Sequence, residues 1–188
     1  MAATIPPICA KRQAAREGFR LPSPRVARLT NDYTQLRLRF DGHPHIHVEP
    51  VGTLPPERYQ IIYDVPTLLL DPQNRPTVSQ RTIVTLTLPH GYPKEKPHAV
   101  SHEAVFHPNF GDYVCIADFW SPAQSLADIV LDIGQMLQWQ KYNIQSPLNA
   151  VAADWAVKNT HELPIGRYDL FSQTSMPTVT VQSSEQGV

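Results

Sequence analysis

Cysteine is scarce in this chain: Cys9 and Cys115 stand far apart and form no CxxC pair. That excludes a disulfide framework and a zinc site built on thiolates, and a reducing cytoplasm fits best. An excess of one charge is missing too. Sixteen Lys and Arg against seventeen Asp and Glu leave a formal net charge of -1, so the broad basic footprint of a nucleic-acid binder is absent. No apolar run approaches the ~20 residues that cross a bilayer, and a membrane is not an expected partner. Gly is sparse at 8 residues while Pro reaches 19, which favours stiff, shaped connections over floppy linkers.

What is present fits one core within 188 residues and shows no internal repeat. Residues 1–22 carry Pro6, Pro7 and clustered basic residues without a sustained period and read as a mobile arm. Their apolar stretch precedes Lys11, Arg12 and Arg16, the reverse of a secretory signal, so the arm is expected on the mature protein. Residues 172–188, rich in Ser, Thr and Gln, read as a disordered tail. The domain is expected over 23–171.

Ser23 offers an N-cap and Pro24 a first helical residue; Val26, Leu29, Tyr33, Leu36 and Phe40 then recur at helical spacing until Asp41-Gly42 stops the run. The other face carries Arg25, Arg28, Arg37 and Arg39, read most simply as a solvated face. Alternation follows in Ile46 and Val48, in Tyr59, Ile61 and Tyr63, and in Val84, Leu86 and Leu88, with turns at Gly52 to Pro56 and Asp71 to Pro76. A second helix is expected from near Pro122 to near Gln140, with Leu126, Ile129, Val130, Ile133, Met136 and Leu137 on its apolar stripe. A third is capped by Asn149 and ended by Pro164-Ile165-Gly166. The fold class is α+β, with an antiparallel meander of about four strands.

Between sheet and second helix lies Phe106 to Pro122, FHPNFGDYVCIADFWSP. The order Tyr92-Pro93 with Pro97, His107-Pro108-Asn109, Cys115, Trp120-Ser121-Pro122 and Ser146-Pro147-Leu148-Asn149 resembles that of ubiquitin-conjugating enzymes, over roughly Pro24 to Gly166. The resemblance implies the UBC-like fold: an N-terminal helix, a meander sheet, an irregular cysteine-bearing segment and C-terminal helices. It also implies a carrier that receives a ubiquitin-like modifier from an activating enzyme as a thioester on Cys115 and passes it to a lysine of a target protein, with or without a ligase. No cofactor is implied on this chain, since ATP is used by the activating enzyme. Arg25 and Arg28 resemble the basic face that the activating enzyme reads; Tyr92 to Lys94 with Ser121, Pro122 and Ala123 resemble the loops on which ligases dock. The short link from Asn109 to Cys115, Lys94 in place of an aromatic residue, Ala117 in place of an acidic one and Ser146 in place of another mark a divergent branch. In this the chain is similar to bacterial conjugating-enzyme-like proteins encoded beside an activating enzyme, a ubiquitin-like protein and a JAB-type peptidase, some in anti-phage operons.

The chemistry also follows from the residue types. The thiolate is the nucleophile, and an ordinary thiol with pKa ~8.5 is only a few per cent ionised at neutral pH. His107 is the nearest base, yet in a His-Pro-Asn turn its ring is better placed to pin the loop with Pro108. A carboxamide N–H can stabilise the developing oxyanion, which makes Asn109 the candidate donor, or the side chain can simply close the turn. A carboxylate can help keep the attacking lysine uncharged; Asp118 is the first candidate and Asp112 the second. Trp120 is expected in the core with its N–H bonded to backbone, and Ser121 is a possible cap of the following helix. Cys9 reads as an incidental thiol. His43, His45 and His47 would share a face of an edge strand; with no carboxylate or thiol beside them they are read as surface residues, and no metal is assigned. Two rivals remain: an inactive scaffold of the same fold, and a cysteine hydrolase, for which no Gly-rich oxyanion loop is evident.

Overall fold

The structure, a computed structural model, describes residues 22–116 and 120–171. The expected arm, apart from exposed Pro22, and the expected tail lie outside the described residues, as do Cys9, Ala117 and Asp118. Helix α1 (Pro24–Phe40) begins where the cap signal predicts, the Ser23 hydroxyl accepting the Val26 N–H at 3.3 Å. It ends at Asp41, followed by Gly42 at φ +74°, a conformation that glycine adopts without steric cost. Leu29, Leu36 and Phe40 face the core.

The sheet is antiparallel and four-stranded, in the order β1 (Ile46–Val51), β2 (Arg58–Tyr63), β5 (Thr82–Thr87), β6 (His98–Ser101). Its register pairs Val48 with Ile61, Ile61 with Val84, and Leu86 with Ala99, so one face carries the apolar set into the core. Between β2 and β5 the chain makes a separate hairpin, β3 (Thr67–Leu70) and β4 (Pro76–Ser79), where only a turn is expected from the sequence. This hairpin steers the segment behind β6: Leu70 N–H bonds Ala104 O at 3.0 Å, and Phe106 N–H bonds Leu68 O at 2.8 Å.

Helix α2 (Leu126–Leu137) starts later than Pro122 because Ser121 is used in its own turn, bonding the N–H of Ala123 through its hydroxyl and that of Gln124 through its carbonyl. The cap is Ser125, which accepts the Ala127 N–H at 3.2 Å. Besides the expected stripe, Ala127, Leu131 and Gly134 are buried, and the Tyr63 hydroxyl donates to Val130 O at 2.9 Å, tying helix to sheet. Helix α3 (Ala150–Lys158) carries the predicted Asn149 cap. It stops at Asn159, well before Pro164, because the Asn159 N–H and side-chain amide both bond Trp155 O.

After α3 the chain returns as a strap. The Gln138 side chain, fully buried, donates to Tyr168 O and accepts its N–H, while Gly166 N–H bonds Gln138 O. Leu170 is 1 % exposed; it sits so close to Gly134 that a Cβ there would meet Leu170 Cδ1 at 2.6 Å. Phe171 ends the strap against Arg39, whose guanidinium lies 6.0 Å from the ring centroid.

Of the three histidines only His47 lies in the edge strand, its side chain 44 % exposed as the surface reading expects; the other two depart from that reading. His43 precedes β1 and is buried; its Nδ1 accepts the N–H of His45 and Ile46, and Nε2 therefore carries the proton and donates to Leu170 O at 3.3 Å. Burial lowers its pKa, which keeps the acceptor nitrogen free. His45 bonds Asp64 O and His47 bonds the Asp64 carboxylate, so a carboxylate does stand beside them.

Because Leu170 is enclosed, Leu170→Ala should lower the unfolding free energy by about 2–4 kcal/mol in urea titration. Ile165→Ala, at a side chain 56 % exposed, should stay within about 0.5 kcal/mol of the parent.

Candidate active site

The His-Pro-Asn turn is held from four sides. Phe110 N–H closes it on His107 O at 3.0 Å, and the buried Pro108 offers its carbonyl to the N–H of both Leu148 and Asn149, anchoring the turn to the start of α3. His107 is fully buried, its ring 4.6 Å from that of Trp139 and 5.3 Å from that of Phe110. Its Nδ1 accepts the Asn109 N–H at 3.1 Å, so the proton sits on Nε2, which makes no hydrogen bond of ordinary geometry among the described residues. Burial drives the pKa down to about 3, only partly offset by the backbone of Lys141. The ring is neutral at pH 7, with its acceptor nitrogen already engaged.

Asn109 leaves this turn with every polar group engaged. Its carbonyl accepts the Cys115 N–H at 2.8 Å. Its Oδ1 accepts the Asn143 N–H at 2.9 Å, which fixes the carboxamide's orientation and leaves Nδ2 aimed at Cys115 O, 3.5 Å away. The short link between the two residues is a tight loop closed by a Phe110–Val114 bridge, with Gly111 N–H on Tyr113 O at 3.0 Å. Cys115 is a free thiol at intermediate exposure. Among the described residues the site thus brings together a cysteine of intermediate exposure and a carboxamide of fixed orientation, while the His107 ring is taken up by the turn.

Asn143 was not singled out by the sequence reasoning. Its Oδ1 accepts the N–H of Gln145 and Ser146, an Asx-type turn that shapes the 143–146 loop, and Asn two residues ahead of a Ser-Pro was the available signal. Ser146 itself is exposed. Asp112 is exposed on the tight loop, and Asp118 lies outside the described residues.

The expected partner-facing residues divide. Lys94, Ser121, Pro122 and Ala123 are exposed. Tyr92 is not, at 2 % exposure: its hydroxyl donates to Asp32 at 2.6 Å and receives Arg28. Nor do Arg25 and Arg28 form a solvated face. Arg25 donates to Tyr92 O and Glu57, and Arg28 to Asp32, Tyr92 and the carbonyls of Pro122 and Gln124. Asp32, buried at 3 % exposure, is what draws Arg28 inward. Trp120 donates to Pro93 O at 2.7 Å as expected, but it is only partly buried, packed against the core.

Against this geometry, residues 83–164, from within β5 past the end of α3, match the family model described as ubiquitin-conjugating enzyme. No curated protein compared with the chain matches it. The matched stretch contains the His-Pro-Asn turn, Cys115 and both C-terminal helices, and together with α1 and the meander it makes this an α+β, UBC-like fold with a stretch similar to ubiquitin-conjugating enzymes. No described helix is long and apolar enough to cross a membrane.

The buried neutral histidine carries a pH signature. In the unfolded chain it takes up a proton near pH 6.5, and in the folded chain only near 3, so folding stability falls as pH drops through that window, by up to ~1.4 kcal/mol per pH unit. The stability advantage of the parent over His107→Gln should therefore shrink by about 2 kcal/mol between pH 7 and pH 5. Denaturant titration at both pH values reads this directly, and a pH-independent difference would mean that His107 titrates normally.

Proposed function

We propose that the chain is a conjugating carrier that takes a ubiquitin-like modifier onto Cys115 as a thioester and delivers it to an amine, most simply a lysine of a target protein. The observation that carries this reading is the carboxamide of Asn109, oriented by the Asn143 N–H and directed at the Cys115 backbone within a family-matching stretch. In loading, the Cys115 thiolate attacks the modifier's C-terminal carbonyl carbon, a C–S bond forms, and the activating enzyme's cysteine leaves as thiolate. In discharge, an uncharged amine attacks the same carbon, the C–N bond forms, the amine gives up a proton, and the Cys115 thiolate departs. The carbonyl oxygen is negative in between.

Asn109 Nδ2 is suited to that oxygen. Its present bond is at the outer limit of hydrogen-bond length and is cheaply exchanged, while the firmer bond to Oδ1 keeps the group from rotating. A general base for the amine is assigned to Asp118, with Asp112 second. The exposed Lys94, Ser121, Pro122 and Ala123 are the proposed contacts for a ligase, the activating enzyme and modifier being the other partners. The divergent motif spacing extends the reading to a bacterial modification pathway, including anti-phage defence. A hydrolase gains no support from His107, which is neutral and used within the turn. An inactive scaffold would not need a carboxamide kept oriented beside a free thiol.

Incubation with activating enzyme, modifier and ATP, followed by a non-reducing gel, should give a thiol-sensitive adduct. It should be lost in Cys115→Ala and become a thiol-resistant ester in Cys115→Ser; no adduct in the presence of a charged activating enzyme would overturn the carrier. Asn109→Ala should still load but discharge to lysine ~100-fold more slowly. Equal loss of both steps would assign Asn109 to loop order alone.

A further inference from the structure

We propose that Arg28 is a positioning residue for acyl transfer at Cys115 and not a contact for a partner; the inference rests on the carrier reading above. The segment around Cys115 is held on both sides. On its N-terminal side Asn109 holds it directly. On its C-terminal side Ile116 is buried in the core, and the next described segment beyond it is the turn Trp120 to Gln124 that leads into α2, which Arg28 holds from α1, more than ninety residues earlier in the chain.

The geometry uses the guanidinium as a fork. Nε bonds Asp32 Oδ2 at 2.8 Å, Nη1 bonds Pro122 O, and Nη2 bonds both Gln124 O at 2.7 Å and the Tyr92 hydroxyl at 2.9 Å, with the group 5.2 Å from the Tyr92 ring centroid. The Tyr92 hydroxyl in turn donates a hydrogen bond to Asp32 Oδ2, so one buried carboxylate fixes both donors. Burial of Arg28 acts against its charge, but Asp32 and Tyr92 outweigh it and the pKa moves up, so the fork stays charged. The second loop of this corner is tied in independently: Trp120 Nε1 bonds Pro93 O, and Arg25 bonds Tyr92 O.

Two carbonyls pointing at one guanidinium define the turn's height and rotation, and an ammonium on a flexible stem cannot reproduce a planar fork that serves four acceptors. The exposed backs of Ser121, Pro122 and Ala123 remain available while their carbonyl side is occupied. The assignment therefore separates charge from shape. A partner contact needs a positive charge at position 28, whereas a positioning residue needs the fork.

The test is single-turnover discharge of preformed Cys115 thioester to free lysine, which involves neither activating enzyme nor ligase. Arg28→Lys and Arg28→Gln should both lower the discharge rate at saturating lysine by about tenfold without changing KM for the amine. Arg37→Gln, which removes a charge from the same helix at the exposed Asp41 pair, should match the parent. Full discharge activity in Arg28→Lys, or a defect confined to loading by the activating enzyme, would overturn the proposal. Should the Arg28 variants not fold, Tyr92→Phe removes one acceptor of Arg28 and one donor to Asp32 while leaving the bonds of Arg28 to Asp32 and to both carbonyls; it should slow discharge about threefold, and parental discharge would sink the idea. If the parent forms no thioester, the carrier reading fails by itself. Arg28 is then judged by mass-mapped iodoacetamide alkylation of Cys115: a rate in Arg28→Lys differing about threefold or more from the parent sustains the positioning role, and equal rates remove it.

Discussion

The orientation of one amide is the constraint on which the cysteine segment depends. Asn109 binds forward to Cys115 through its backbone carbonyl, sideways to Asn143 through Oδ1, and back to His107 through its N–H. Each of those neighbours is itself fixed. His107 is enclosed by aromatic rings, Asn143 shapes its own turn, and the approach to the whole assembly is paired to β3 at Leu68 and Leu70. A carboxamide in water would rotate freely and spend most of its time facing elsewhere; here that freedom was lost on folding, which is the general basis of preorganised electrostatics.

The same economy governs the corner on the other side of the cysteine. A carboxylate buried at Asp32 would be costly alone. Its two donors, Arg28 and Tyr92, arrive from α1 and from the loop behind β5, and the surplus donor capacity of the arginine is spent on main-chain carbonyls. Breaking any one of these contacts leaves another group short, so the three segments are mechanically one piece.

Legibility in the sequence followed the range of the interactions. The caps at Ser23 and Asn149 were readable because cap and target lie three residues apart. The start of α2 was misread because Ser121 and Ser125 both resemble caps locally, and only the Ser121–Gln124 turn decides between them. The β3–β4 hairpin stayed hidden since Leu68 to Leu70 is a short apolar run without alternation. The inward turn of Tyr92 and Arg28 depends on Asp32, sixty positions from the tyrosine, and no local pattern records such a pairing. Leu170 likewise gains its role from Gly134 and His43, which are distant in the chain. The turn and the cysteine were found by their order; the carboxamide's facing was not, since it is set by a backbone N–H 34 residues later.

The contact of Phe171 with Arg39 has a geometric consequence for anything joined to this domain. Pro22 leads into one end of α1 and Phe171 rests beside the other, and a helix of 17 residues rising ~1.5 Å each spans about 25 Å. A protein or label attached before Ser23 therefore emerges at the corner where Arg25 and Arg28 gather the loops. One attached after Phe171 emerges beside the far end of α1, so the two attachment points address different flanks of the same molecule.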